Sequence, residues 1–259
     1  MHIYIPSMQR ASMQYTLEAI KEESPYPITL VVPAEELDDY TVANPGVGII
    51  GTNCKGIANT RDWIMAIASR DEEHVLMMDD DLTFYARRND DPTKFRNLDK
   101  GEIREMLTSV HALLHKYVHV GIAPREGANR NISPVLSCTR APRVIGYRMA
   151  EFFESGASFA NSTVMDDFEV TLHLLTRGYE NGILNSFVQN QRGSGTVGGA
   201  STYRTLEVHA AAAKKLAERY PQFVKTVEKT TARAWGGATR TDVIIQWKRA
   251  LEYGKATNG

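Results

Sequence analysis

The stretch His74-Val75-Leu76-Met77-Met78-Asp79-Asp80-Asp81 is an apolar run that ends in three consecutive carboxylates. Carboxylates are hard oxygen ligands, and at the rim of a buried sheet they suit a divalent cation and the phosphates it bridges. Three adjacent negative charges repel one another, so the cluster calls for a compensating cation. On an extended backbone alternate side chains share a face, which would pair Asp79 with Asp81 and turn Asp80 away. A second acidic group, Met165-Asp166-Asp167-Phe168-Glu169, opens a segment whose apolar positions are Val170, Leu172, Leu174 and Leu175, with Gly178 as its stop. The positive end of a helix dipole keeps a carboxylate ionised, which suits a general base. Together the two groups point to metal-dependent chemistry on a phosphorylated substrate.

Such residues need rigid elements behind them. Ile3 to Pro6 reads as a strand followed by a loop with Ser7 and Arg10, and Thr16 to Ile20 as a helix. Ile28 to Val32 and Gly48 to Ile50 read as further strands, Ile57 to Ser69 as a helix, and Val75 to Met78 as the strand that delivers the aspartates. Short apolar strands alternating with helices argue for an α/β layer with a largely parallel sheet. Residues 86–101, which contain Asp90-Asp91-Pro92, read as a loop, Glu102 to Val118 as a helix, and Val120 to Ile122 as a strand. Pro124 to Pro134 is polar and expected to line a site. Four glycines between Gly193 and Gly199 suggest a loop that closes over a ligand, and Leu206 to Tyr220 and Val243 to Tyr253 read as terminal helices.

Several other chemistries are disfavoured. Gly46-Val47-Gly48-Ile49-Ile50-Gly51 matches GxGxxG, but Asn44-Pro45 precedes it and its interior is strand-like, so it reads as turn glycines around a strand. The aspartate strand resembles a Walker B segment, yet no GxxxxGK[ST] accompanies it. Asp79 to Thr83 fits the DxDxT pattern of haloacid-dehalogenase-like phosphatases, which place it after the first strand, whereas about three strands precede it here. Cys54 and Cys138 form no CxxC pair, which suggests a reducing compartment, and no histidine-dominated zinc site is expected. No apolar stretch approaches the roughly 20 residues that span a bilayer, and no secretory signal is read at the start, so a cytoplasmic location is expected. The 259 residues read as one domain, with Lys and Arg totalling 30 and Asp and Glu 31. The distribution is uneven: residues 201–259 carry a balance of +6 and the first 200 a balance of −7. A basic terminal quarter could bind a polyanion or be only a solvated helical face.

The ordered set of Ile3 to Ser7 with Arg10, Gly56 to Asp62, Leu76 to Asp81, and Asp166-Asp167 leading to Leu175-Thr176-Arg177-Gly178-Tyr179 resembles a GT-A glycosyltransferase over about residues 1–190. Gly121-Ile122-Ala123-Pro124-Arg125-Glu126-Gly127-Ala128-Asn129-Arg130 and Gly198 to Arg204 resemble, more narrowly, the phage TET-associated glycosyltransferases. The resemblance implies a Rossmann-like, mixed but mostly parallel central sheet flanked by helices. Residues 1–85 would bind the nucleotide sugar, 86–200 the acceptor, and 201–259 would form a basic helical segment. It implies transfer of a sugar from a nucleotide-diphosphate donor, a UDP-sugar foremost, to 5-hydroxymethylcytosine in double-stranded phage DNA in the host cytoplasm, with Mn²⁺ or Mg²⁺. Asp81 would hold the metal, with Asp79 and His209 as further ligands. Pro6, Ser7, Arg10, Arg61, Asp79, Asp80 and Arg204 would bind the donor. Asp167, with Asp166 as the alternate, would be the base of an inverting displacement, and Arg125, Glu126, Asn129 and Arg130 would meet the acceptor. A glycan or small-molecule acceptor, and a non-catalytic GT-A-like DNA-binding module, are the competing readings.

Overall fold

The computed structural model describes residues 1–192, 205–230 and 238–258. The N-terminal part alternates strand and helix: β1 (His2–Pro6), α1 (Tyr15–Ile20), β2 (Ile28–Pro33), α2 (Leu37–Ala43), β3 (Gly48–Thr52), α3 (Ile57–Ala68) and β4 (His74–Met78). Next come β5 (Leu82–Arg87), β6 (Phe95–Asn97), α4 (Glu102–Leu114), β7 (His119–Pro124), β8 (Val135–Leu136), β9 (Val144–Arg148), α5 (Met149–Glu154), α6 (Asp166–Leu175) and β10 (Asn181–Gln191). The chain continues through α7 (Leu206–Arg219), β11 (Val224–Thr230), β12 (Thr239–Ile245) and α8 (Trp247–Asn258).

The main sheet runs in the order β3-β2-β1-β4-β9-β7-β10-β5-β6, with β8 on β10. The β1, β2, β3 and β4 strands pair in parallel, whereas β9 lies antiparallel to both β4 and β7. Because two reversals restore direction, β7 and its parallel neighbour β10 run the same way as β4. Most strands therefore point one way, as the sequence pattern predicts. The carboxyl end of β4, where the aspartates begin, lies beside the carboxyl end of β1, which leads to Ser7 and Arg10. This is the edge at which ligands bind in open α/β sheets.

Alternate residues of each central strand face opposite layers. Ile3, Ile5, Leu30, Val32, Leu76 and Met78 pack on one side with Leu17 and Ile20 of α1 and Ile103, Met106, Leu107 and Val110 of α4. Tyr4, Val31, Val75 and Met77 pack on the other with Ile64 and Met65 of α3, Phe152 of α5 and Val170 and Leu174 of α6. Each buried aliphatic side chain of this kind stabilises the fold by about 1.5–3 kcal/mol, so both ends of the acidic constellation rest on close-packed elements. Leu172 and Leu175, on α6, form a third apolar cluster with α7, β12 and α8.

Three sequence expectations need correction. Residues 86–101 are not wholly a loop: β5 and β6 pair antiparallel, and β5 alternates buried and half-buried residues from Leu82 to Arg87. Residues 201–259 are not purely helical, because β11 and β12 form an antiparallel pair, and Val243 to Ile245 belong to β12 rather than to the final helix. The charged residues of β11 are exposed on an edge pair, where they suppress the apolar alternation that marks a strand. The glycine-rich stretch 193–199 and Arg204 lie outside the described residues.

Candidate active site

The aspartates sit in the short connection between β4 and β5. The chain turns at Asp80 and Asp81 instead of continuing extended. Asp80 and Asp81 share one guanidinium: Arg10 Nη1 lies 2.6 Å from Asp80 Oδ1 and 3.2 Å from Asp81 Oδ2. Ser7 Oγ donates to Asp80 Oδ2 at 2.5 Å and also meets the Tyr40 hydroxyl and the Gln14 amide at 2.8 Å each. Thr16 donates to the Asp79 carbonyl and accepts from the Leu82 amide, which pins the turn to the start of α1.

Asp81 is 4% exposed. Its Oδ2 accepts from the Gln191 side chain at 3.0 Å, while its Oδ1 is buried with no hydrogen-bond partner. A buried carboxylate oxygen left bare is destabilising unless something compensates it. A divalent cation fits this donor set of hard oxygens. The carboxyl of Asp79 is pushed up to about 6 by burial, opposed by Arg61 and reinforced by Asp81 and Asp80; burial also raises Asp80. A cation at this edge would favour the ionised forms.

Arg61, on α3, joins the two acidic groups. Its Nη2 donates to Asp79 Oδ1 at 2.8 Å and its Nη1 to Asp166 Oδ2 at 2.6 Å. Burial acts against its charge, but Asp166 and Asp79 together raise its pKa further above the ordinary guanidinium value. Asp166 and Asp167 occupy the first turn of α6, and Met165 before them adopts φ +64°, a left-handed turn that starts the helix abruptly. Asp167 is held differently from Asp166. Arg140 Nε meets its Oδ2 at 2.5 Å, and the same guanidinium lies 3.9 Å from the centre of the Phe168 ring. The Arg140 side chain is 40% exposed, so this partner stands at the surface while Arg61 is buried.

Pro6 ends β1 in register with Val31 and aims the following Ser7 at the site. Ser7, Arg10 and Arg61 are thus committed to carboxylates. Arg125, Glu126, Asn129 and Arg130 are exposed on the segment after β7. Arg125 stacks over Tyr85 at 4.5 Å, and a surface groove is lined by Arg88, Lys94, Phe95, Arg125 and Asn129 among others. Glu126 lies 3.6 Å from Arg143. His209 is placed on α7 with its Nδ1 2.9 Å from the Thr241 carbonyl. Among the described residues Asp79, Asp81 and His209 do not come together as a three-ligand set.

Sequence reading missed Arg140, Arg143 and Gln191. Arg143 has φ +67°, its carbonyl accepts the Asp79 amide, and its guanidinium meets Gln189 at 3.2 Å. The signal available was the Arg140-Ala141-Pro142-Arg143 spacing, but only β9, reversed between β4 and β7, carries it to the aspartates.

No curated protein matches the chain. Among solved structures, GalNAc-T7 with UDP, GalNAc and Mn²⁺ aligns at 10% identity and TM-score 0.47, over 82% of this chain and 47% of the other. The chain thus spans about half the length of that protein. The 4-diphosphocytidyl-2C-methyl-D-erythritol synthase of Anaerococcus prevotii DSM 20548 aligns at 11% identity and TM-score 0.45, over 74% and 89% of the two chains. The family of TET-associated glycosyltransferases matches residues 1–199, a span that holds both acidic groups, the Arg61 bridge and the segment after β7. The chain belongs to the TET-associated glycosyltransferase family.

Proposed function

We propose that this chain transfers a sugar from a nucleotide-diphosphate donor, a UDP-sugar first among those to test, to the hydroxyl of 5-hydroxymethylcytosine in double-stranded DNA. The observation that carries the reading is the Arg61 bridge, since one buried guanidinium ties the β4 carboxylates to those of α6. A donor site and a base site are thereby built as one unit. Asp81, through its bare Oδ1 and with Asp79 beside it, would hold Mn²⁺ or Mg²⁺. When bound, the ion supplies charge neutralisation for the departing diphosphate.

The remaining roles fall to the chain's own groups. Ser7 and Arg10 hold Asp80 and Asp81 in a fixed orientation, so no reorganisation is needed when the donor arrives. Asp167 is the better base than Asp166. The exposed Arg140 can yield to an acceptor hydroxyl, whereas Asp166 is locked by buried Arg61. Asp167 would take the hydroxyl proton as that oxygen attacks the anomeric carbon and the diphosphate leaves on the opposite face, which inverts the centre. Arg88, Lys94 and Arg125 suit phosphates, and the nearby rings of Tyr85 and Phe95 suit stacking against a base. These features favour a nucleic-acid acceptor over a small molecule.

The test is nucleoside mass spectrometry of 5-hydroxymethylcytosine DNA after incubation with the protein, Mn²⁺ and a panel of sugar nucleotides. A hexose-sized increment is expected, abolished by Asp81→Ala. It should slow about 10²- to 10⁴-fold in Asp167→Asn, with donor binding retained. Donor hydrolysis without an increment would remove the DNA acceptor and leave a glycan or small-molecule acceptor. DNA binding with neither would leave a non-catalytic module.

A further inference from the structure

At the opposite end of β4 from the aspartates, three imidazoles converge. His74 opens the strand, while His111 and His115 lie four residues apart, on and just beyond the last turn of α4, and so on one face. We propose that His74, His111 and His115 form a second metal site, selective for Zn²⁺ and remote from the acidic centre. The five residues of β4 separate the two by about 16 Å at ~3.3 Å per residue.

One ring nitrogen from each histidine lies within 4.8 Å of the other two. His74 Nδ1 and His111 Nε2 are already 3.1 Å apart, close to the roughly 3.3 Å expected between two ligands at 2.0–2.1 Å in a tetrahedral zinc site. His115 is the exposed member of the set. The ring centres are 4.9–5.1 Å apart.

The surroundings support ligation. The Tyr26 hydroxyl lies 3.0 Å from His111 Nδ1. A proton held on Nδ1 by that contact leaves the Nε2 lone pair aimed at His74, the kind of outer contact that orients metal-bound histidines. His74 Nε2 is buried with no hydrogen bond and faces Glu73 Oε1 at 3.8 Å, so a carboxylate stands ready for its proton once Nδ1 is committed to a metal.

Three imidazoles suit Zn²⁺, whereas the hard oxygens at the other end suit Mg²⁺ or Mn²⁺, so the two ends of one strand select different ions. His115 is exposed, so solvent reaches this side of the cluster. An ion there would tie α4 to β4 and stabilise the native state by mass action. The sequence expectation of no histidine-based site is thus reversed: the i, i+4 pair is present in the sequence, and the missing third ligand comes from β4.

The test is isothermal titration of Zn²⁺ into full-length, tag-free protein stripped with chelator, with excess Mg²⁺ present to occupy the carboxylates. One equivalent is expected, with a rise in Tm and, for Co²⁺, the intense visible bands of a tetrahedral nitrogen site. His115→Ala should weaken binding at least about tenfold and erase the Tm rise, Tyr26→Phe should weaken it about tenfold, and Asp81→Ala should leave it intact. The proposal is overturned if wild type and His115→Ala bind Zn²⁺ alike, if neither binds, or if Asp81→Ala removes the site. These outcomes are independent of any sugar transfer.

Discussion

Arg61 holds two carboxylates that are 87 positions apart in sequence, Asp79 and Asp166, with separate nitrogens of one buried guanidinium. Removing a single partner from such a network leaves the buried Asp166 and the partly buried Asp79 uncompensated. Arg61→Met should therefore destabilise the protein by about 3–5 kcal/mol, measured as a lowered midpoint in urea. Arg61→Lys should recover little of the loss, because an ammonium cannot present two divergent donors along a rigid plane. If both variants unfold at the wild-type midpoint, the bridge is not a structural link. The sequence shows Arg61 and all five aspartates as residue types that suit the chemistry, but not who partners whom. Alternation predicts that Asp80 turns away from Asp81, whereas the turn at Asp80 and Asp81 brings both onto Arg10. Arg140 and Gln191 were invisible for the same reason: their contacts with Asp167 and Asp81 depend on three-dimensional placement and have no local pattern.

Elements with strong periodicity were legible, and those placed by long-range pairing were not. The β1 to β4 run and α3, α4 and α6 all follow from apolar spacing and turn residues. The β9 and β10 strands carry no comparable alternation, since β10 is buried at nearly every position through Gln189 and includes Asn181, Asn185 and Gln189 in its interior. The amide nitrogens of those side chains donate to the carbonyls of Thr139, Asn131, Ser133 and Pro142, so they fix neighbouring loops rather than mark a surface. The junction of β7 with the segment before β9 is tight. A Cβ on Gly121 would lie 2.5 Å from Ala141 Cβ and 2.7 Å from the Val144 carbonyl. Backbone cannot give way as a flexible side chain can, so Gly121→Ala should destabilise by about 1–3 kcal/mol or more. The same push falls on the Ala141 to Val144 segment, whose Arg143 carbonyl holds the Asp79 amide. Activity measured well below the melting temperature should therefore drop as well, and full activity in a destabilised Gly121→Ala protein would show that this segment does not position the aspartates.

At the scale of the whole molecule the formal charge of −1 conceals a division, +6 over residues 201–259 against −7 over the rest. The division alone does not place a DNA path, because the acidic excess includes the buried carboxylates of the candidate site and the basic excess is spread over α7, the β11–β12 pair and α8. A more local surface is the groove with Arg88, Lys94 and Arg125 beside Phe95, which lies within the acidic portion of the sequence; in it Arg88 pairs with Asp90 and Lys94 with Asp91, exposed pairs that a phosphate could replace. If duplex DNA is the acceptor, each phosphate these groups neutralise contributes about −0.9 to the slope of log K against log salt concentration. Replacing Arg88, Lys94 and Arg125 together with glutamine should therefore flatten the slope by up to about 3 and weaken duplex binding at low salt, measured by fluorescence anisotropy at several salt concentrations. Donor affinity should stay unchanged, since Ser7, Arg10, Asp80 and Asp81 are held by a separate set of contacts. A triple variant with the wild-type slope would move the DNA path away from this groove, leaving the basic terminal quarter as the surface to test next. A slope near zero in the wild-type protein would instead remove the polyanion and point to an uncharged acceptor.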